Sequence, residues 1–225
     1  MFKILGVLFF VITAGTACAE QTMVFKEGEH YTRLSSSVAN KGPIADLRKK
    51  SPKKVQIVEF FSYGCGACFI LEPTFETWLK TLPSSSKVDV MRIPVVFHPT
   101  WEPLARAYFV LEGANLVQKG HPALFEAVQV QHLDLTDPNA LQQFLLPIGV
   151  SQAQFNNTYR SFSVDTKMKT ARDLAKAYQI TAIPMLMVNG PQGVFIPSQK
   201  LYTKELLQLL QFLVKEQVQQ LNKQG

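Results

Sequence analysis

One stretch constrains this chain more than any other. A short apolar run, Val55 to Phe61 (VQIVEFF), leads within four residues into Cys65-Gly66-Ala67-Cys68. The run is β-branched and aromatic, which reads as a strand buried on both faces, as in a sheet with parallel pairs. From Cys65 onward Phe69, Leu71, Phe75, Trp78, Leu79 and Leu82 recur at helical spacing, and Pro83 stops the run. The cysteines therefore stand where a strand hands over to the first turn of a helix. Backbone N–H groups there lack partners and the helix dipole is positive, so a thiolate is favoured over a thiol. Cys68, one turn further in, is expected to be more buried and less ionised. On this reading Cys65 is the attacking and leaving sulfur, and Cys68 resolves the mixed disulfide.

The start of the chain fits redox chemistry. Met1-Phe2-Lys3, the apolar stretch Ile4 to Ala14 and Ala17-Cys18-Ala19 form the pattern of a secretory signal peptide over residues 1–19, cut after Ala19. A lipidated Cys18 and an uncleaved anchor are the alternatives; the apolar run is short for a membrane span. Cleavage leaves 206 residues, enough to bury a core without disulfide staples. Cys65 and Cys68 are then the only cysteines, and a bond between them closes too small a loop to add much stability. In an oxidising compartment such a pair points to chemistry rather than stapling. A lone C-x-x-C also occurs in zinc sites, which need two further ligands. His30, His98, His121 and His132 lack that spacing, so no metal is expected and all four are read as solvated or satisfied structural residues. The net charge of +6 is scattered apart from Arg48-Lys49-Lys50 and Lys53-Lys54, which excludes a nucleic-acid interface as the leading reading.

Residues 20–54 read as a possible strand near Met23–Phe25 followed by loop, punctuated by Gly42-Pro43 and Ser51-Pro52. Val88–Phe97 reads as a second strand. Helices are expected over Glu102–Val117, Ala123–Gln131, Pro138–Leu146, Gln152–Arg160 and Asp165–Tyr178, with an N-cap at Asp137 and a capping box at Ser151-x-x-Gln154. Met185–Val188 and Val194–Ile196 pair as a hairpin turning at Asn189-Gly190. Thr203 opens a last amphipathic helix. The order β-α-β, helices, β-β-α needs helices on the faces of its sheet.

Three further positions bear on the cysteines. Glu59 interrupts the buried strand, and a buried carboxylate is costly unless paired or protonated. It is read as a general base for Cys68, against a strand-edge glutamate facing water. Arg92 in the next strand is its charge partner or else an ordinary surface arginine. Pro73 is expected to bend its helix. Ile183-Pro184 opens a strand; X-Pro bonds are the ones able to be cis, and a cis isomer would bring Ile183's backbone beside Cys65, open to an extended substrate.

Together these residues carry a resemblance. EFFSYGCGACFILEP (59–73) is similar to the thioredoxin-fold active site, and AIPMLMVNG (182–190) to the segment holding that fold's cis-proline. With the upstream EGEHYTRL (27–34), the chain resembles the DsbA family of bacterial periplasmic thiol–disulfide oxidoreductases. Pro184 lies 119 residues after Cys65. A bare thioredoxin fold needs roughly 45–50 residues there, and the surplus matches that family's helical insertion. The resemblance implies an α/β thioredoxin fold, a mixed sheet flanked by helices, over 20–97 and 179–225, with an inserted helical subdomain over 98–178. It implies Cys65 as nucleophile, Cys68 as its buried partner, Pro184 as the cis-proline with substrate-facing Ile183 before it, Glu59 as the buried acid and Arg92 as its basic partner. Familiar members have Pro-His between the cysteines. Gly66-Ala67 here removes a charge that would stabilise the thiolate, so the pair is expected to be less oxidising yet still a net oxidant.

The implied activity is introduction of disulfides into exported proteins in the periplasm. The Cys65–Cys68 disulfide would serve without a further cofactor, a membrane quinone-linked reoxidase of the DsbB type would reoxidise it, and the chain would be a monomer. The alternative is a disulfide isomerase or reductase kept reduced. Only about 35 residues precede Val55 after cleavage, too few for a separate dimerisation module. A non-catalytic peptide-holding module is the third class.

Overall fold

The computed structural model describes residues 23–35, 39–82 and 87–224. The expected signal peptide and Cys18 lie outside the described residues. Strands β1 (Tyr31–Arg33), β2 (Val55–Phe61), β3 (Val88–Pro94), β4 (Met185–Gly190) and β5 (Gly193–Pro197) form one sheet in the order β1-β5-β4-β2-β3. Helices α1 (Gly42–Lys50) and α2 (Gly66–Leu79) flank β2 in sequence. Between β3 and β4 the chain builds α3 (Glu102–Gly113), α4 (Val117–Gln129), α5 (Pro138–Leu145), α6 (Gln152–Tyr159) and α7 (Phe162–Ala177), and it ends in α8 (Thr203–Gln224).

β2 is parallel to β3 and antiparallel to β4, and each of its residues is buried. This is why its sequence is almost wholly apolar: helices cover both faces. Val55 and Ile57 share a core with Leu71 and Phe75 of α2 and with Leu210, Leu213 and Val214 of α8. Val58 and Phe60 belong to the second core, with α1 and the helices between β3 and β4. Burying one such side chain contributes roughly 1.5–3 kcal/mol. Successive strand residues point to opposite faces, so Glu59 shares the face of Val55 and Ile57. Its register partners are Arg92 on β3 and Leu186 on β4.

Several local expectations are corrected. Met23–Phe25 is irregular, and the first strand is Tyr31–Arg33, paired antiparallel with β5. Gly42-Pro43 opens α1 instead of marking loop. Proline's fixed φ suits a first helical turn, and Ile44 and Leu47 supply the buried face. The long helix expected to Val117 stops at Gly113, where Asn115 adopts a left-handed φ of 56°. α4 then begins at Val117, six residues before Ala123, and carries Pro122 inside it. Gly120 in that helix is set by packing, since a Cβ there would lie 2.4 Å from Leu111 Cδ2. α7 starts at Phe162, where the Ser161 hydroxyl accepts the Val164 N–H. Asn189 and Gly190 belong to β4, so the hairpin turns at Pro191-Gln192. Pro73 sits inside α2, where the helical spacing had it, and the helix continues to Leu79.

Candidate active site

Ser62, Tyr63 and Gly64 turn the chain from β2 into α2. The Cys65 N–H donates to Ser62 O at 3.0 Å, and the Gly64 N–H donates to Ser62 Oγ at 3.2 Å. Cys65 is the N-cap of α2, and its Sγ accepts the Cys68 N–H at 3.2 Å. A sulfur in the place of a capping oxygen meets unpaired N–H groups and the positive end of the helix. Its pKa falls to about 7 through the hydrogen bond from the Cys68 thiol first, then, against opposing burial, the N–H groups of Cys68 and Ala67. Cys68 has no exposed surface, and its thiol is pushed up by that same hydrogen bond and by burial. Both cysteines are free thiols here. Gly66 and Ala67 bring no charge to the sulfur.

The Ile183–Pro184 bond is cis. Cys65 Sγ lies 3.7 Å from Ile183 O. Beside it runs a groove of about 430 Å³ bounded by Ala67, Ile70, Ile183, Pro184, Met185 and Leu201. Ile70 stands 74% exposed at its rim, an apolar side chain offered to solvent next to the reactive sulfur.

Behind Cys68 lies a buried charge cluster. Glu59 is 0% exposed and Arg92 Nε–H donates to its Oε2 at 2.9 Å. Arg92 Nη2 also reaches Glu72 Oε1 at 3.4 Å and bonds Glu76 Oε1. Burial pushes the Glu59 carboxyl up to about 8, against the pull of Arg92. Burial disfavours the charge on Arg92 as well, but Glu59, Glu72 and Glu76 outweigh it and the guanidinium stays protonated. Glu72 sits lower than usual: burial raises it, and the Arg92 guanidinium beside it works against that. His121 is itself lowered by burial and is neutral at pH 7, so Arg92 carries the charge compensation of Glu72. His121 Nε2 lies 3.1 Å from Glu72 Oε1 but is not aligned as a hydrogen bond, whereas Nδ1 shares one of 2.8 Å with Tyr63 OH.

The structure thus brings Cys65, Cys68, Ile183 and Pro184 together at the helix mouth, with Glu59 and Arg92 paired beneath. Glu72, Glu76, His121 and Tyr63 join them without having been expected there. Cys68, Glu72 and Glu76 are spaced i, i+4, i+8 on α2 and share one helix face, a signal available in the sequence. His121 corrects the reading of every histidine as solvated or satisfied: it is buried, and its Nε2, like Glu59 Oε1 and Glu72 Oε2, has no hydrogen-bond partner among the described residues. Glu59, Glu72 and His121 each offer a ligand atom within 4.8 Å of the others, a set with metal-binding composition that no cysteine or histidine spacing in the sequence announces. Arg92 already supplies the cation there. A wider cleft of about 890 Å³ between α2 and α4 reaches Glu72, Arg92 and His121 but neither cysteine.

Comparison with known proteins places this geometry. The family profile described as DSBA-like thioredoxin domain matches residues 89–206. The thiol:disulfide interchange protein DsbA of Pseudomonas aeruginosa is 33% identical over 199 residues, 88% of this chain and 89% of that protein. The DsbA of Pseudomonas syringae pv. tomato is 34% identical over 172 residues, 76% of this chain and 75% of its own. The crystal structure of Pseudomonas aeruginosa DsbA superposes with a TM-score of 0.72 at 31% identity, over 85% of this chain and 94% of that one. That of the Xylella fastidiosa oxidoreductase DsbA shares the fold, with a TM-score of 0.73 at 24% identity over 86% of this chain and 98% of its own. The sheet with helices α3–α7 inserted between β3 and β4 is therefore the thioredoxin-like DsbA fold, and the chain belongs to the DsbA-like thioredoxin-domain family.

Proposed function

We propose that this protein, a thiol–disulfide oxidoreductase, introduces disulfide bonds into exported polypeptides with Cys65 as the reactive sulfur and Cys68 as its buried partner. In the oxidised enzyme a substrate thiolate attacks Cys65 Sγ. The Cys65–Cys68 bond breaks, its electron pair goes to Cys68, and Glu59 returns a proton to that sulfur. A second substrate thiolate then attacks the substrate sulfur of the mixed disulfide and displaces Cys65 as a thiolate. The substrate loses two electrons and gives its two thiol protons to solvent; the enzyme is left with a Cys65 thiolate, a protonated Cys68 and a Glu59 carboxylate that solvent reprotonates. The observation that carries this reading is the asymmetry of the pair: Cys65 Sγ accepts a helix-mouth N–H at 3.2 Å while Cys68 is wholly buried. The sulfur that must leave is thus the one held as an anion.

Ile183 offers its backbone to an extended substrate, Pro184 shapes that loop, Arg92 holds Glu59 in place, and Gly66 and Ala67 tune the thiolate. The redox equivalent is the cysteine pair itself, with no further cofactor or metal. The thioredoxin-fold domain spans 20–97 and 179–225 around a helical subdomain at 98–178. The mature chain works as a monomer in the periplasm and is reoxidised by a membrane quinone-linked partner. A second reading, an isomerase or reductase kept reduced, is favoured by one observation: no charged side chain flanks the sulfur at Gly66-Ala67. Thiol trapping in cells decides between them, since a donor is found mostly oxidised. Replacing Cys65 with Ser should abolish exchange, and replacing only Cys68 should trap a mixed disulfide with substrate. Exchange at wild-type rate by the Cys65→Ser protein would refute the assignment.

A further inference from the structure

One face of α4 grips the first central residue of the redox turn. His121, Phe125 and Gln129 follow one another at i, i+4 and i+8, so they line one side of the helix. All three meet Tyr63. His121 Nδ1 bonds the hydroxyl at 2.8 Å, Phe125 packs on the ring with centroids 4.9 Å apart, and Gln129 Nε2–H donates to the backbone carbonyl at 2.6 Å. The first two contacts bury a side chain. The third acts on the main chain, two residues before the reactive sulfur.

That carbonyl belongs to the central peptide of a tight turn. The Cys65 N–H to Ser62 O bond closes a four-residue turn with Tyr63 and Gly64 at its centre. Turns of this kind come in two forms that differ by a flip of the central peptide, and glycine at the third position admits both. Here the peptide is pinned at both ends: its carbonyl by Gln129, its N–H by Ser62 Oγ at 3.2 Å. The Trp101 indole closes the remaining space, since a Cβ on Gly64 would lie 2.2 Å from Trp101 Nε1.

We propose that Gln129 is a positioning residue of the redox turn: its amide holds the Tyr63–Gly64 peptide in one orientation and so keeps Cys65 Sγ aligned with the N–H groups that open α2. Hydrogen bonds weaken steeply with misalignment. In a site with no charged side chain at positions 66 and 67, those N–H groups support the thiolate together with the Cys68 thiol. Residue 129 also faces the dipeptide directly, because Gln129 Oε1 stands 3.5 Å from the place of a Cβ on Gly66. A charge at 129 would therefore stand against the dipeptide that follows the sulfur, and it would reach the thiolate through space.

The inference rests on Cys65 being the thiolate-forming sulfur, and its test separates the two. The ionisation constant of Cys65 is read from the pH dependence of thiolate ultraviolet absorbance in the reduced full-length protein. The series is wild type, Gln129→Ala, Gln129→Glu and Gln129→Lys, with thermal melts of the oxidised forms alongside. Gln129→Ala loses the donor and should weaken ionisation about threefold. Gln129→Glu adds a negative charge and should weaken it about tenfold, one pKa unit. Gln129→Lys keeps a donor and should match wild type or exceed it. Equal ionisation in Gln129→Ala and wild type overturns the proposal, whatever Gln129→Glu does. So does a Gln129→Lys protein as weakly ionised as Gln129→Ala. A wild-type Cys65 that titrates like an ordinary thiol instead overturns the assignment of the reactive sulfur.

Discussion

Glu59 gives the sharpest quantitative handle on this site. Its carboxyl is wholly buried and burial raises its pKa from 4.5 to about 8. Between those values the native state holds a proton that the unfolded chain has lost. Stability from this group is therefore fully present below pH 4.5 and is lost as pH rises through about 8. Two other groups run the opposite way. His121, lowered from 6.5, makes the fold gain stability as pH rises toward 6.5. Cys65, lowered from 9.0 to about 7, adds stability between those values in the reduced protein. The clean window is pH 6.5 to 8 in the oxidised protein, where the cysteines do not titrate. One proton there is worth about 1.4 kcal/mol per pH unit, so wild type should lose about 2 kcal/mol relative to Glu59→Gln, which carries no ionisable group. With a urea m-value of roughly 2–3 kcal/mol/M, the two unfolding midpoints should drift apart by about 0.7–1 M. Urea melts followed by circular dichroism at the two pH values read this directly. Midpoints that run parallel would show that Glu59 is ionised throughout the window, and the proton-donor role assigned to it would fall.

The dipeptide between the cysteines gives a second test. Ala67→His should stabilise the Cys65 thiolate by one charge-assisted contact of ~1.5–3 kcal/mol and make the pair more oxidising by ~30–60 mV, measured by equilibration with glutathione; an unchanged potential refutes the tuning role. Gly64→Ala should cost about 1–3 kcal/mol by overpacking against Trp101, and Trp101→Ala in the same chain should recover part of that loss. Additive losses in denaturant melts would show that the indole does not set the limit at Gly64.

Where the fold departs from local preference, it does so for a common physical reason. Gly42-Pro43 and Gly120-His121-Pro122 look like breaks because their backbone preferences are unfavourable inside a helix. Packing of Ile44 and Leu47 in one case, and of Gly120 against Leu111 in the other, supplies what propensity lacks. The hairpin moved to Pro191-Gln192 for the same reason. Gly190 lies within β4, where a Cβ would meet Gln217 of α8 at 2.6 Å.

What the amino-acid order alone determines here is local: a doubly buried strand, a sulfur at the mouth of the next helix, a second sulfur one turn in, and a carboxylate out of place in an apolar strand. Each follows from hydrogen bonding and side-chain periodicity among neighbours, and both are written in consecutive residues. The tertiary structure decided what surrounds those sulfurs. Arg92 meets Glu59 across 33 residues, His121 meets Tyr63 across 58, and Gln129 reaches the Tyr63 carbonyl across 66. Such contacts exist only once the helices have packed on the sheet, because the side chains that make them carry no local preference for one another.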